Sequence, residues 1–190
     1  MSAASRDRLN RGGTTMMELL IVIVMIGIMS AIVMPRLRAS PRRLVQESAR
    51  QLARDIDLVR GRALASKRAT RLKLVGTTAW IGYRDVEGDA VISEVQAEAD
   101  SLRGFGQRAL DPQVLLGRGS AVAIAGWPTG DPTSFTGSRL DFRSTGMTMP
   151  FGTQGVIYLQ HRDDPTIVAA VTVTGAGSVR VWNYVGGTWQ

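Results

Sequence analysis

Cysteine is absent from this chain of 190 residues, which excludes disulfides, thiol catalysis and zinc–thiolate sites while fitting any compartment. Histidine occurs once, at His161, so no multi-histidine metal site can be assembled. Lysine is scarce: of 23 cationic residues only Lys67 and Lys73 are lysine, against 16 acidic residues, and the net charge is +7. An arginine-borne excess favours acidic partners such as phospholipid headgroups, nucleic acid or an acidic protein face. It fits equally well a genome rich in arginine codons. No internal repeat of fixed period and no low-complexity tail is present.

Charge is missing most conspicuously from "RGGTTMMELLIVIVMIGIMSAIVMP", Arg11 to Pro35. Within it, Thr14–Met34 carries one charge, Glu18. At about 1.5 Å per residue this stretch reaches roughly 30 Å, the thickness of a bilayer's hydrocarbon. A carboxylate there costs about 2 kcal/mol or more, and such residues are usually paired. A cleavable secretory signal would have a shorter apolar core and a small-residue cleavage site, which "MPRLRAS" does not offer. A plain membrane anchor accounts for the length but leaves Glu18 and the Gly12–Gly13 pair without a role. Arg36, Arg38, Arg42 and Arg43 outnumber the arginines before the span, so charge balance alone does not fix its orientation.

"GGTTMME" resembles the leader of type IV prepilins and type II secretion pseudopilins. The resemblance implies cleavage by a prepilin peptidase between Gly13 and Thr14, N-methylation of Thr14, and Glu18 as the fifth mature residue. The family usually begins with phenylalanine where this chain has Thr14. Gly27 and Pro35 fall where that family carries a helix-weakening glycine and proline. Pro35 lacks an N–H and crowds the preceding turn, and Gly27 adds backbone freedom. In a bundle of such helices, Glu18 of one subunit would neutralise the Thr14 α-ammonium of a neighbour, making two costly charges tolerable as a pair. The implied organisation is a leader over 1–13, a single-pass inner-membrane helix over 14–39, and a periplasmic domain over 40–190.

In that domain, residues 40–70 read as an amphipathic helix and 71–190 as β-rich. Ser40 is placed to cap and Pro41 to open the helix. Val45, Ala49, Leu52, Ile56, Val59 and Ala63 recur at three- and four-residue spacing, one apolar stripe. Arg43, Glu47, Arg50 and Arg54 take another, solvated face. "TRLKLVG", "TAWIGYR", "AVISEV", "QVLLG", "SAVAIAG", "RLDFRS", "GVIYLQ", "IVAAVTVT" and "SVRVWNYV" read as strands. "WPTGDPTSFTGS" reads as a long loop, and "EVQAEADSLRGFGQRALDP" as a loop with a short helix. The expected fold is α+β, a long N-terminal hydrophobic stem helix packed on a β-sheet-rich domain.

Phe142 and Gly146 in "DFRSTG", the strand "GVIYL" and the closing "VTVTGAGSVRV" resemble the GspH/FimT type of minor pseudopilin. That resemblance implies a non-enzymatic subunit of a type II secretion pseudopilus, near its tip, whose partners are other pseudopilins or pilins. The alternative is a FimT- or FimU-like minor pilin for pilus priming or DNA uptake; a poorer third is an anchored periplasmic binding domain. The DNA-uptake branch implies Gly-Arg-x-Arg near the C-terminus, whereas this chain has Gly177-Ser178-Val179-Arg180. Arg180 is therefore a candidate phosphate contact, with Arg139, Arg143 and Arg162 as candidate neighbours, and only weak duplex binding is expected. Asp163–Asp164 and "DVEGD" (85–89) lack calcium-loop spacing, and Gly117 and Gly119 precede no phosphate-loop lysine. Trp127, Trp182 and Trp189 read as packed aromatics rather than base-stacking ones. No enzyme constellation, cofactor, metal or small-molecule substrate is expected.

Overall fold

A computed structural model describes residues 15–33, 40–102 and 105–190. The chain divides into two units, Met1–Ala39 and Ser40–Gln190. In the first, helix α1 spans Met16–Val33. The second opens with α2, Pro41–Ser66. Ser40 is extended and its Oγ accepts from the Arg43 N–H at 3.4 Å, while Pro41 takes the first helical position, where a missing N–H costs nothing. Lys67 ends the helix in the left-handed conformation.

Among the described residues ten short strands follow: β1 (Thr70–Val75), β2 (Ala79–Arg84), β3 (Arg108–Ala109), β4 (Val114–Leu116), β5 (Arg139–Phe142), β6 (Thr148–Met149), β7 (Gly155–His161), β8 (Val168–Val173), β9 (Val179–Val185) and β10 (Thr188–Trp189). A six-residue helix α3, Gln96–Ser101, lies between β2 and β3. The strands form two antiparallel sheets, ordered β3-β2-β1-β5-β6 and β10-β9-β8-β7-β4. The fold class is α+β, with α2 packed on both sheets and the short α3 against β2.

Strand alternation decides which side chains meet α2. Leu72, Leu74 and Trp80 of the first sheet, and Ile157, Leu159, Val171 and Val173 of the second, share one core with Val45, Ala49, Leu52, Ile56, Val59 and Ala63. The six-residue stripe of the sequence is thus the buried face of α2, with Leu52, Ile56 and Val59 fully excluded from solvent. Two hydrogen bonds pin the helix to the first sheet: Thr70 Oγ1 donates to the Val59 carbonyl at 3.1 Å, and Trp80 Nε1 to Asp55 Oδ2 at 2.9 Å. Arg60 ties the far end to two turns, donating to the Gly146 carbonyl at 2.9 Å and to that of Ala176 at 3.4 Å. Gly177 lets these turns close: its φ is +80°, and a Cβ there would stand 2.4 Å from the Gly146 carbonyl oxygen.

Two expected strands are not strands. "AVISEV" makes no ladder; Ala90 and Glu94 have positive φ, and the segment crosses the outward face of the first sheet as a strap. Its pairing is replaced by side-chain bonds, since the Ile92 carbonyl accepts from Arg71 at 3.1 Å. "SAVAIAG" is likewise irregular, and Ile124 packs on a sheet face instead of pairing. Ile124 is buried there and its N–H donates to the Tyr158 hydroxyl at 3.3 Å. The 127–138 segment is irregular apart from a short 3-10 turn and a single bridge, Thr133 to Ile157.

Burial raises the carboxyl pKa of Asp55, against the lowering influence of Trp80, Arg108 and Arg54, so its charge is carried at a cost in the folded state. Asp55→Asn keeps the acceptor for Trp80 and removes that charge, and should melt at or above the wild-type temperature at neutral pH. Asp55→Leu leaves the indole N–H buried without a partner and should cost about 1–3 kcal/mol. Chemical denaturation of both variants checks this; equal stability of the two would contradict it.

Candidate functional site

The residue types that the sequence marks for assembly lie on and around α1. Glu18 stands in its first turn, and its N–H donates to Thr15 Oγ1 at 3.3 Å, so a threonine hydroxyl caps the helix. The helix is apolar on all sides: Leu19, Leu20, Ile21, Val22, Ile23 and Val24 are each about half exposed or more. It has no stripe to bury, unlike α2. It runs unbroken through Gly27, and nothing lies within 4 Å of the place a Cβ would take there. Among the described residues no helix is long and apolar enough to cross a membrane. The expected cleavage and methylation site, Gly13 and Thr14, and the expected helix-weakening Pro35 lie outside the described residues.

The arginines of the sheets are not brought together. Arg180 projects from the outward face of the second sheet, with its guanidinium carbon 4.0 Å from the ring centroid of Trp182, a cation–π contact. Arg139 pairs across from Lys73 on the first sheet, on the face opposite Leu140 and Phe142. Arg162 donates from Nε to the Pro112 carbonyl at 2.8 Å. Arg143 follows β5 at a turn. Alternation has thus spread these four over the outward faces of different sheets and over turns.

The tryptophans pack. Trp127, Trp182 and Trp189 lie against a second buried cluster of Ile124, Val156, Tyr158 and Ala170. Trp182 Nε1 donates to Thr172 Oγ1 and Trp189 Nε1 to the Val122 carbonyl, both at 2.9 Å. Phe142 is a fully buried core aromatic and Gly146 a turn glycine of positive φ. The acidic residues close turns: Asp85 accepts from the Gly88 and Ala90 N–H groups at 2.6 and 3.0 Å, and Asp164 from the Thr166 N–H at 3.0 Å. Among the described residues no three His, Asp or Glu side chains are grouped to hold a metal ion. His161 is buried at the end of β7, its Nδ1 accepting from the Asp163 N–H at 3.3 Å and its Nε2 without a partner.

An ion cluster absent from the sequence-based reading occupies the outward face of the first sheet. Arg71, 8% exposed at its side chain, makes a bidentate pair with Asp141, both contacts 2.7 Å, and reaches Glu94 at 2.8 Å. Lys73 pairs with the other Glu94 oxygen. The sequence signal is the alternation of Arg71 and Lys73 in β1, two cations on the face opposite Leu72 and Leu74. Both hold the strap through Glu94.

Burial of Glu94 works to raise its pKa, but the hydrogen bonds and charges of Lys73 and Arg71 outweigh it, and the net shift is downward from the ordinary 4.5. A depressed carboxyl pKa contributes stability that is present above the ordinary value and lost as pH falls through the folded one. Wild-type protein should therefore lose more stability than Glu94→Gln between about pH 5 and about pH 3. Denaturation at the two pH values measures the difference; equal losses would mean that the cluster does not fasten the strap.

No protein-family model matches the chain, and no curated protein matches it. Among solved structures it is similar to the type IV minor pilin FimU of Pseudomonas aeruginosa, at 13% identity and TM-score 0.49, over 78% of this chain and 94% of that one. It is also similar to the minor pseudopilin EpsH from the Type 2 Secretion System of Vibrio cholerae, at 14% identity and TM-score 0.46, over 72% of this chain and 94% of that one.

Proposed function

We propose that the chain is a minor pseudopilin of a type II secretion system, a non-enzymatic subunit near the tip of a short periplasmic filament that drives protein export. The observation that carries this reading is the lone Glu18 in the first turn of a helix apolar on every side. A helix of this surface has to be covered by lipid or by other apolar helices. In either setting the carboxylate needs a cation, and a chain cut after Gly13 would supply one as the Thr14 α-ammonium of a neighbouring copy. Glu18 then sets the axial register of subunits and takes no part in catalysis. Before assembly, residues 14–39 would hold the protein in the inner membrane as a single pass, with 40–190 in the periplasm. Gly27 and Pro35 would let the helix loosen as the filament forms.

A type IV minor pilin, for pilus priming or DNA uptake, is the alternative. Two observations favour secretion over DNA uptake. Ser178 stands where the uptake branch would have an arginine. Arg180 rests on Trp182, apart from Arg139 and Arg162. Each lost phosphate contact removes counterion release, so dispersed arginines bind duplex weakly.

Mass analysis of the protein extracted from membranes should find a chain beginning at methylated Thr14; a start near residue 40 would replace the pilin reading with a secretory signal. Deletion of the gene should abolish exoprotein secretion and leave motility and transformation intact. The reverse pattern would assign the chain to a type IV pilus.

A further inference from the structure

Three cations converge where α2 ends. Lys67 and Arg68 come from the connection to β1 and Arg143 from the turn after β5, and together they line a cavity of about 390 Å³. Among the described residues none of the three pairs with a carboxylate. This contrasts with Arg71 nearby in sequence, which holds two. Lys67 and Arg143 are exposed and Arg68 is half-buried, and gathering like charges without an ion-pair partner is unfavourable.

The cavity's one acid, Asp85, makes no ion pair with the three cations. Asp85 is 2% exposed and both of its oxygens accept backbone N–H groups, from Gly88 and Ala90. Glu87 and Asp89 flank Gly88 but do not line the cavity. Arg68 is seated by the absence of a side chain: its Nη1 lies 1.4 Å from the place a Cβ of Gly88 would occupy. The guanidinium is therefore laid across Gly88 at the cavity wall. Ser144 and Thr145 add two hydroxyls to the lining.

We propose that this cavity binds a phosphate-type anion, with Arg68 and Arg143 offering forked N–H donors, Lys67 a compact charge, and Ser144 and Thr145 neutral donors. Planar guanidinium forks match the oxygens of a phosphate, and charge-assisted bonds of this kind are the strong ones. A concave site of this size takes a phosphate monoester head-on. The anion has two sources, a soluble phosphate ester or a phospholipid headgroup.

The full chain in dodecyl maltoside micelles, titrated with inorganic phosphate at constant ionic strength, provides the test. The backbone amide signals of Ser144, Thr145 and Gly146 should shift and saturate. Arg68→Gln and Arg143→Gln should each weaken binding by about tenfold. Gly88→Ala keeps every cation but puts a Cβ on the Arg68 guanidinium at a φ of +89°, and should weaken binding while lowering stability. Arg50→Gln, on the exposed face of α2, should leave it unchanged. Co-sedimentation with phosphatidylglycerol vesicles, displaced by phosphate and lost in Arg68→Gln, would name a lipid headgroup as the source; no co-sedimentation would name a soluble ester. Shifts that grow linearly without saturating, or that Arg68→Gln leaves intact, would overturn the proposal.

Discussion

One face of α2 must be buried against two sheets at once, and the rest of the second unit follows from that constraint. The helix supplies the shared side of a core in which Leu72 and Trp80 of one sheet meet Ile157 and Val171 of the other. Burying such side chains contributes about 1.5–3 kcal/mol each, so the position of α2 is fixed by packing. Its few polar contacts set the details. Asp55 holds Trp80, Val59 holds Thr70, and Arg60 gathers the two turns at Gly146 and Ala176. Among the described residues the buried members of this core run from Val45 onward. In α1 the same physics is left open, with apolar residues on every side.

Much of this was legible in the sequence because burial writes periodicity. The α2 stripe at three- and four-residue spacing and the capping pair Ser40–Pro41 mark a helix with one apolar face, and that face is buried in the core rather than left for a partner. The strands around Leu72, Tyr158 and Val171 were readable for a similar reason, as β-branched and apolar runs between turn residues. "AVISEV" and "SAVAIAG" carry the same signal and form no strands. Ile92 and Ile124 are buried without pairing, while Val91, Val95 and Val122 are exposed, and Ala90 and Glu94 take left-handed conformations that end any ladder. Local pattern does not distinguish a residue that pairs from one that lies across a sheet. The cluster of Arg71, Lys73, Glu94 and Asp141 was hidden for another reason. Its members are separated by 23 and 70 residues, and register alone brings them together.

The candidate site was legible in a different way. Glu18 stands out because a charge within an apolar run has a cost that composition makes visible. Gly13, Thr14 and Pro35 carry their meaning through a leader resemblance, outside the described residues. Arg180 shows the limit of reading basic residues as a patch. Its nearest feature is Trp182, and alternation sends Arg139 to another face. The cations that do converge, Lys67, Arg68 and Arg143, come from separate turns that only the fold brings to one cavity.

We propose that Glu18 acts between subunits, by neutralising a terminal ammonium, and not within its own chain. Replacing Glu18 with leucine removes the one charge of α1. Sheared filaments and membranes from cells carrying this variant should be compared for the amount of the protein in each. The account predicts a membrane content equal to or above wild type and a clear loss from the filament fraction. Wild-type incorporation of Glu18→Leu into filaments would contradict it.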